Sequence, residues 1–236
     1  GNRGPSQGHS RPPRGDCLTM NKCSVTHGGV APPGPIAPPP ALDRSPAPDG
    51  GPLAALVPPG RVVELCAAAA CGRMTLAAAF VRAAQAQGEL AAWVQPEGAG
   101  LYPPDLAAAG VSLDELIVVH TPAASGPEAV ARAAELLLRS GGFGVAVLDL
   151  CASRPHGEGW VVRLGGVARR HGARVVLLTA QRAEAASAGA LVAVRARPRR
   201  RFEAGRYVLE AEVLRDRCDL ARRVTSTAHA PPWDAG

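Results

Sequence analysis

The chain has 236 residues, 47% apolar but only 3% aromatic, and a net charge of +6 at pH 7. That is enough for one α/β domain whose core must be built from Ala, Val and Leu. Its six cysteines (Cys17, Cys23, Cys66, Cys71, Cys151, Cys218) have no C-x-x-C spacing and argue against a metal site. No apolar run reaches the roughly 18 uncharged residues a membrane helix needs, so the expectation is a reduced, cytoplasmic protein without membrane association.

Residues 1–52 contain clusters such as Arg11-Pro12-Pro13-Arg14 and Pro38-Pro39-Pro40 with no hydrophobic period. Such a stretch cannot bury enough surface to offset its ordering entropy and is predicted to be a disordered arm. A domain is expected over 53–225, and a flexible tail over 226–236. Within the domain, 61–66 (RVVELC) is a short apolar strand. Residues 75–88 (TLAAAFVRAAQAQG) carry apolar side chains at helical spacing and stop at a glycine. Strand 90–94, short helix 104–109, strand 116–120 and helix 127–140 follow, then the nearly continuous apolar strand 145–150 (VAVLDL). An amphipathic helix over 159–171 and a buried strand over 173–179 complete the alternation. After that, 190–197 and 207–215 alternate as an antiparallel pair across a basic turn, 198–205. Parallel βα units followed by a hairpin predict an α/β fold with a mixed sheet.

Between the first strand and first helix, CAAAACGRMT has the frame of a phosphate-binding loop, G-x-x-x-x-G-K-[ST]. In that frame Ala67 takes the first glycine, Gly72 the second, Arg73 the lysine and Met74 the magnesium-ligating hydroxyl, with Cys71 before Gly72 and Thr75 after Met74. The single lysine of the chain, Lys22, is far away in sequence. Alanine in place of a glycine needing positive φ costs about 1 kcal/mol. Arginine keeps the charge but not the compact ammonium, and methionine has no oxygen to offer a metal. Phosphoryl transfer rests on positioning and charge stabilisation, so robust hydrolysis is not expected. Weak binding of ATP with Mg²⁺ at the helix N-terminus stays open. The arginines around 195–201 and 215–223 have two readings, neutralisation of phosphates or a solvated rim that blunts an edge strand.

Taken together, GRVVELCAAAACGRMTL, AAWVQPE, VAVLDL, ARVVLLTAQ and VLEAEVLRDR, in that order over about residues 60–223, resemble the RecA recombinase core. The short core and eroded loop are most similar to the ImuA branch, with SulA-like division inhibitors as a sister branch. The resemblance implies a RecA-like P-loop core and roles for particular residues. Glu97 matches the carboxylate that positions the attacking water, and Asp149 the acid that orients Mg²⁺. Gln181 matches the residue that senses nucleotide and relays its state to DNA-binding loops. The equivalents of those loops, 151–159 and 182–189, are short, which argues against strand exchange. Arg154, Arg199, Arg200 and Arg201 are the candidate DNA contacts. The implied role is an accessory protein of DNA-damage tolerance, binding a Y-family polymerase-like protein of the ImuB type and, as further partners, RecA or DNA. A DNA-dependent ATPase with a variant loop and a SulA-like inhibitor are the alternatives.

Overall fold

The computed structural model describes Gly1 and residues 57–67, 71–203, 206–218 and 223–229. The chain divides into two units, Gly1–Leu42 and Asp43–Gly236. Every element described here belongs to the second; apart from Gly1, the arm expected over 1–52 lies outside the described residues.

Eight strands form one sheet: β1 (Val62–Cys66), β2 (Leu90–Pro96), β3 (Leu116–Thr121), β4 (Phe143–Leu150), β5 (Arg174–Thr179), β6 (Val192–Glu203), β7 (Arg206–Asp216) and β8 (Arg223–His229). Their spatial order is β3-β2-β4-β5-β1-β6-β7-β8. The pairings from β3 through β6 are parallel, and β6–β7 and β7–β8 are antiparallel. Among the described residues four α-helices connect the parallel strands: α1 (Arg73–Gln85), α2 (Pro103–Ala108), α3 (Gly126–Arg139) and α4 (Gly159–His171). The expected mostly parallel sheet with flanking helices and a closing hairpin is borne out.

The strands of the parallel core read as apolar runs because helices cover both of their faces. On one face Val63, Leu65, Trp93, Val147, Val176 and Leu178 pack against Leu76, Phe80, Val81 and Ala84 of α1. On the other, Val62, Val94, Leu148, Val175 and Leu177 meet Val130, Ala134 and Leu138 of α3 and Trp160, Leu164 and Ala168 of α4. Each fully buried Val, Leu or Phe contributes roughly 1.5–3 kcal/mol. The helix ends follow local chemistry. Pro127 and Glu128 occupy the first turn of α3, and α4 ends with Arg169, Arg170 and His171 before Gly172 in the left-handed region at φ 68°.

Several boundaries differ from the sequence reading by a few residues, and two differ in kind. Residues 198–203, expected as a basic turn, continue β6. β1 pairs with β6 only as far as Ala196, so Pro198 lies where β6 has β7 alone as a neighbour, a place a strand tolerates proline. In addition, β8 runs past the boundary set at 225, pairing along β7 through His229. Among the described residues no helix is long and apolar enough to cross a membrane.

Candidate functional site

The carboxyl ends of the parallel strands carry the loop that leads into α1. β1 ends at Cys66, Ala67 follows, and Gly72 caps the helix at φ 84°, ψ 14°. Residues 68–70 lie outside the described residues. Gly72 is required here twice over: its φ is left-handed, and a Cβ would sit 2.4 Å from Leu209 Cδ1 on β7. Arg200 Cβ on β6 would lie 3.4 Å from the same point. The hairpin therefore presses on the start of α1.

Arg73, the first residue of α1, turns its guanidinium inward. Nη1 donates to the Ala67 carbonyl at 2.8 Å and to the Thr179 carbonyl at 3.0 Å, at the ends of β1 and β5. A lysine reaching for phosphate would leave those carbonyls alone; here the cation is spent on the protein's own backbone. Met74 packs against the α1-side core, and Thr75 is half-buried on the first turn. Cys71 is half-buried with a free thiol. With the guanidinium directed at the carbonyls of Ala67 and Thr179, a thioether at the hydroxyl position and a leucine against the cap glycine, these residues do not fit a magnesium nucleotide.

Asp149 lies at the end of β4, one residue before its last, and its Oδ1 accepts the Cys151 N–H at 3.0 Å. The Cys151 thiol faces Asp149, Cys71 and Arg73. Burial, then hydrogen bonding to Asp149 and its negative charge, push this thiol up to about 12 against the pull of Arg73. Burial likewise pushes the Cys66 thiol up. Glu97 is exposed just past β2, its N–H donating to Thr121 O at 2.8 Å. Gln181 follows β5 and lines a shallow depression with Arg182 and Glu184. Thus Ala67, Arg73, Asp149 and Cys151 meet around the loop, whereas Glu97 lies on a separate exposed turn. No group of three or more His, Cys, Asp or Glu side chains among the described residues could hold a metal ion.

The most polar buried feature escaped the sequence reading. Glu64, in the middle of β1, is fully buried and pairs in register with Arg195 of β6, itself 5% exposed. Glu64 Oε1 accepts the Thr179 hydroxyl at 3.0 Å. Its Oε2 accepts Ser187 Oγ at 2.8 Å and the Ala188 N–H at 2.9 Å, with Arg195 Nε at 3.4 Å. Arg195 in turn donates to the carbonyls of Arg182 at 3.0 Å, Ala183 at 3.1 Å and Ala185. The signal was an acid inside an otherwise apolar strand. Arg195, grouped by sequence with the basic cluster, is instead a buried partner of that acid.

The candidate DNA contacts divide. Arg154 donates to the Ala186 carbonyl at 3.3 Å, tying loop 151–159 to loop 182–189. On β6, Arg197 and Arg199 meet Glu212 at 2.5 and 3.2 Å, and Arg201 meets Glu210. Arg200 sits on the opposite face of the strand, over the start of α1. Part of the basic cluster is therefore neutralised within the hairpin.

Residues 52–159 match the RecA N-terminal domain. The core is RecA-like. Over 97 residues this RecA-like core is 38% identical to the RecA protein of Chlamydia pneumoniae, covering 41% of this chain and 26% of that one. Against the RecA of Deinococcus radiodurans the figures are 38% over 97 residues, 41% and 26%. For Clostridioides difficile RecA they are 36% over 97 residues, 41% and 27%. The chain spans about a quarter of the length of these relatives. The match takes in β1, the loop, β2 and β4, the elements that carry Ala67, Arg73, Glu97 and Asp149.

Proposed function

We propose that this protein is a non-hydrolysing RecA-like scaffold of the ImuA type, an accessory of DNA-damage tolerance. It binds a Y-family polymerase-like protein, with RecA or DNA as further partners, and supports error-prone synthesis past lesions. The observation that carries this reading is Arg73, whose guanidinium holds the carbonyls of Ala67 and Thr179 where a nucleotide-binding loop would hold phosphate. Met74 supports it, because no hydroxyl oxygen stands ready for magnesium. Positions Glu97, Asp149 and Gln181 carry the side chains of a working enzyme and sustain the competing reading, a divergent DNA-dependent ATPase.

The deciding measurement is ATP binding and turnover by the full chain, with and without single-stranded DNA, beside an Arg73→Ala variant. The scaffold reading expects no turnover in either protein and no saturable binding at millimolar ATP. DNA-stimulated turnover that disappears in Arg73→Ala would replace the scaffold with the motor. The partner is tested separately by co-purification with a polymerase-like protein and with RecA.

A further inference from the structure

We propose that the outer faces of α3 and α4 form a docking surface for an acidic, amphipathic helix of a partner protein. The inference rests on the scaffold reading only in expecting a protein partner; the surface itself is read from side chains on the two helices.

Both helices cover the same face of the sheet, and each turns a stripe of side chains away from it. On α3, Arg132, Leu136 and Arg139 recur at i, i+4 and i+7; on α4, Val162, Gly166 and Arg169 do the same, with Arg170 beside them. All of these residues are exposed, Leu136 at 57% and Val162 at 50%. Glu135 ties the helices together, meeting Arg139 Nη2 at 2.6 Å and Arg163 Nε at 3.1 Å. Its neighbour Leu136, and Val162 beside Arg163, therefore stand on adjacent ridges of one surface. Gly166 leaves bare backbone there: a Cβ on it would meet nothing within 4 Å.

Charge selects the occupant. Glu135 is buried and engaged by two arginines, and the other acid of the two helices, Glu128, accepts the His156 N–H at 3.4 Å. Arg132, Arg169 and Arg170 make no ion pair with a described residue. A partner must bring carboxylates to these cations and aliphatic side chains to cover Leu136 and Val162. A helix with Glu and Leu on one face meets both demands, and bare Gly166 lets it approach closely. A second copy of this chain is disfavoured, because the same basic face would meet itself on a chain of net charge +6. Residues 1–52 are no better matched, since Arg and Lys outnumber Asp there. Single-stranded nucleic acid would find charge but no stacking platform: neither helix exposes a Phe, Tyr or Trp.

The test is fluorescence anisotropy of a labelled, end-capped helical peptide with leucines along one face and glutamates flanking them, titrated with the full chain. We expect saturable binding in the micromolar range. Leu136→Asp/Val162→Asp should weaken it at least about tenfold while keeping the wild-type Tm, because both side chains are exposed in the free protein. Arg132→Glu/Arg170→Glu should weaken it about as much at low salt, with the difference shrinking as salt rises. Leu113→Asp, an exposed apolar residue outside both helices, should bind as wild type does. Absence of saturable binding overturns the proposal, as does binding indifferent to Leu136→Asp/Val162→Asp. Equal affinity for polyglutamate or for a single-stranded oligonucleotide, lost in Arg132→Glu/Arg170→Glu, would reduce the face to an undirected cation patch. Self-association seen by sedimentation and abolished by Leu136→Asp/Val162→Asp would assign the face to a second copy instead. The probe needs neither ATP nor a polymerase-like protein. Its failure therefore leaves the scaffold reading standing with its contact elsewhere, and ATP turnover by the protein would leave this surface standing.

Discussion

Gly72 is the residue at which backbone and packing demands coincide. It holds the left-handed conformation that starts α1, and Leu209 of the hairpin occupies the space a side chain would need. Alanine there meets about 1 kcal/mol of backbone strain and roughly 1–3 kcal/mol of overpacking. We therefore expect Gly72→Ala to destabilise by about 2–4 kcal/mol, lowering Tm by roughly 5–15 °C for a domain of this size. A double variant with Leu209→Ala should recover the overpacking part and leave the strain, a favourable coupling readable in a thermal double-mutant cycle. If the two changes are simply additive, the hairpin does not press on the cap. The sequence identified Gly72 as the loop's one retained glycine, yet nothing local pointed to Leu209, more than 130 residues away. Glu64 shows the same limit: its position in an apolar strand was visible, but its partners came from β5, β6 and the loop between them.

The parallel elements were legible because their signals are local. Apolar runs marked β1, β4 and β5, helical spacing with a glycine stop marked α1, and amphipathic spacing marked α4. The hairpin was less so. Arginines at 199–201 resemble a turn by polarity, but they alternate across an extended strand, in which Arg199 stands opposite Glu210 and Arg197 opposite Glu212. That pairing changes what the basic cluster can do. Carboxylates at Glu210 and Glu212 compete with any phosphate for Arg197, Arg199 and Arg201. A Glu210→Gln/Glu212→Gln variant should therefore bind a single-stranded oligonucleotide several-fold more tightly at low salt. Its log–log salt dependence should also be steeper, by up to about two counterions. Equal affinity and slope in the two proteins would move the DNA contact away from this face of the hairpin, toward Arg154 or Arg200. Fluorescence anisotropy across a salt series makes the distinction.

Across the whole molecule the polar chemistry gathers at the carboxyl edge of the parallel strands, where doubly wound sheets place their ligand sites. The order β3-β2-β4-β5-β1 brings Asp149, Thr179 and Ala67 side by side there, an adjacency that strand prediction without topology does not provide. The same edge buries thiols beside an acid, and this gives global stability a pH dependence. In the unfolded chain a cysteine thiol ionises near its ordinary value of 9.0, whereas folded Cys151 holds its proton to about 12. Cys66 is shifted in the same direction by burial. Below pH 9 both states carry the proton and Cys151 contributes no pH dependence. As pH rises above 9 the unfolded chain releases the proton while the folded protein keeps it, so stability is lost progressively toward pH 12. Urea unfolding of wild type and Cys151→Ala, measured at intervals from pH 7 to 11, isolates this contribution from the other groups that titrate there. The two stabilities should run parallel to about pH 9, and wild type should then fall more steeply. Parallel curves over the whole range would mean that Cys151 ionises alike in both states and that neither burial nor the Asp149 contact holds its proton.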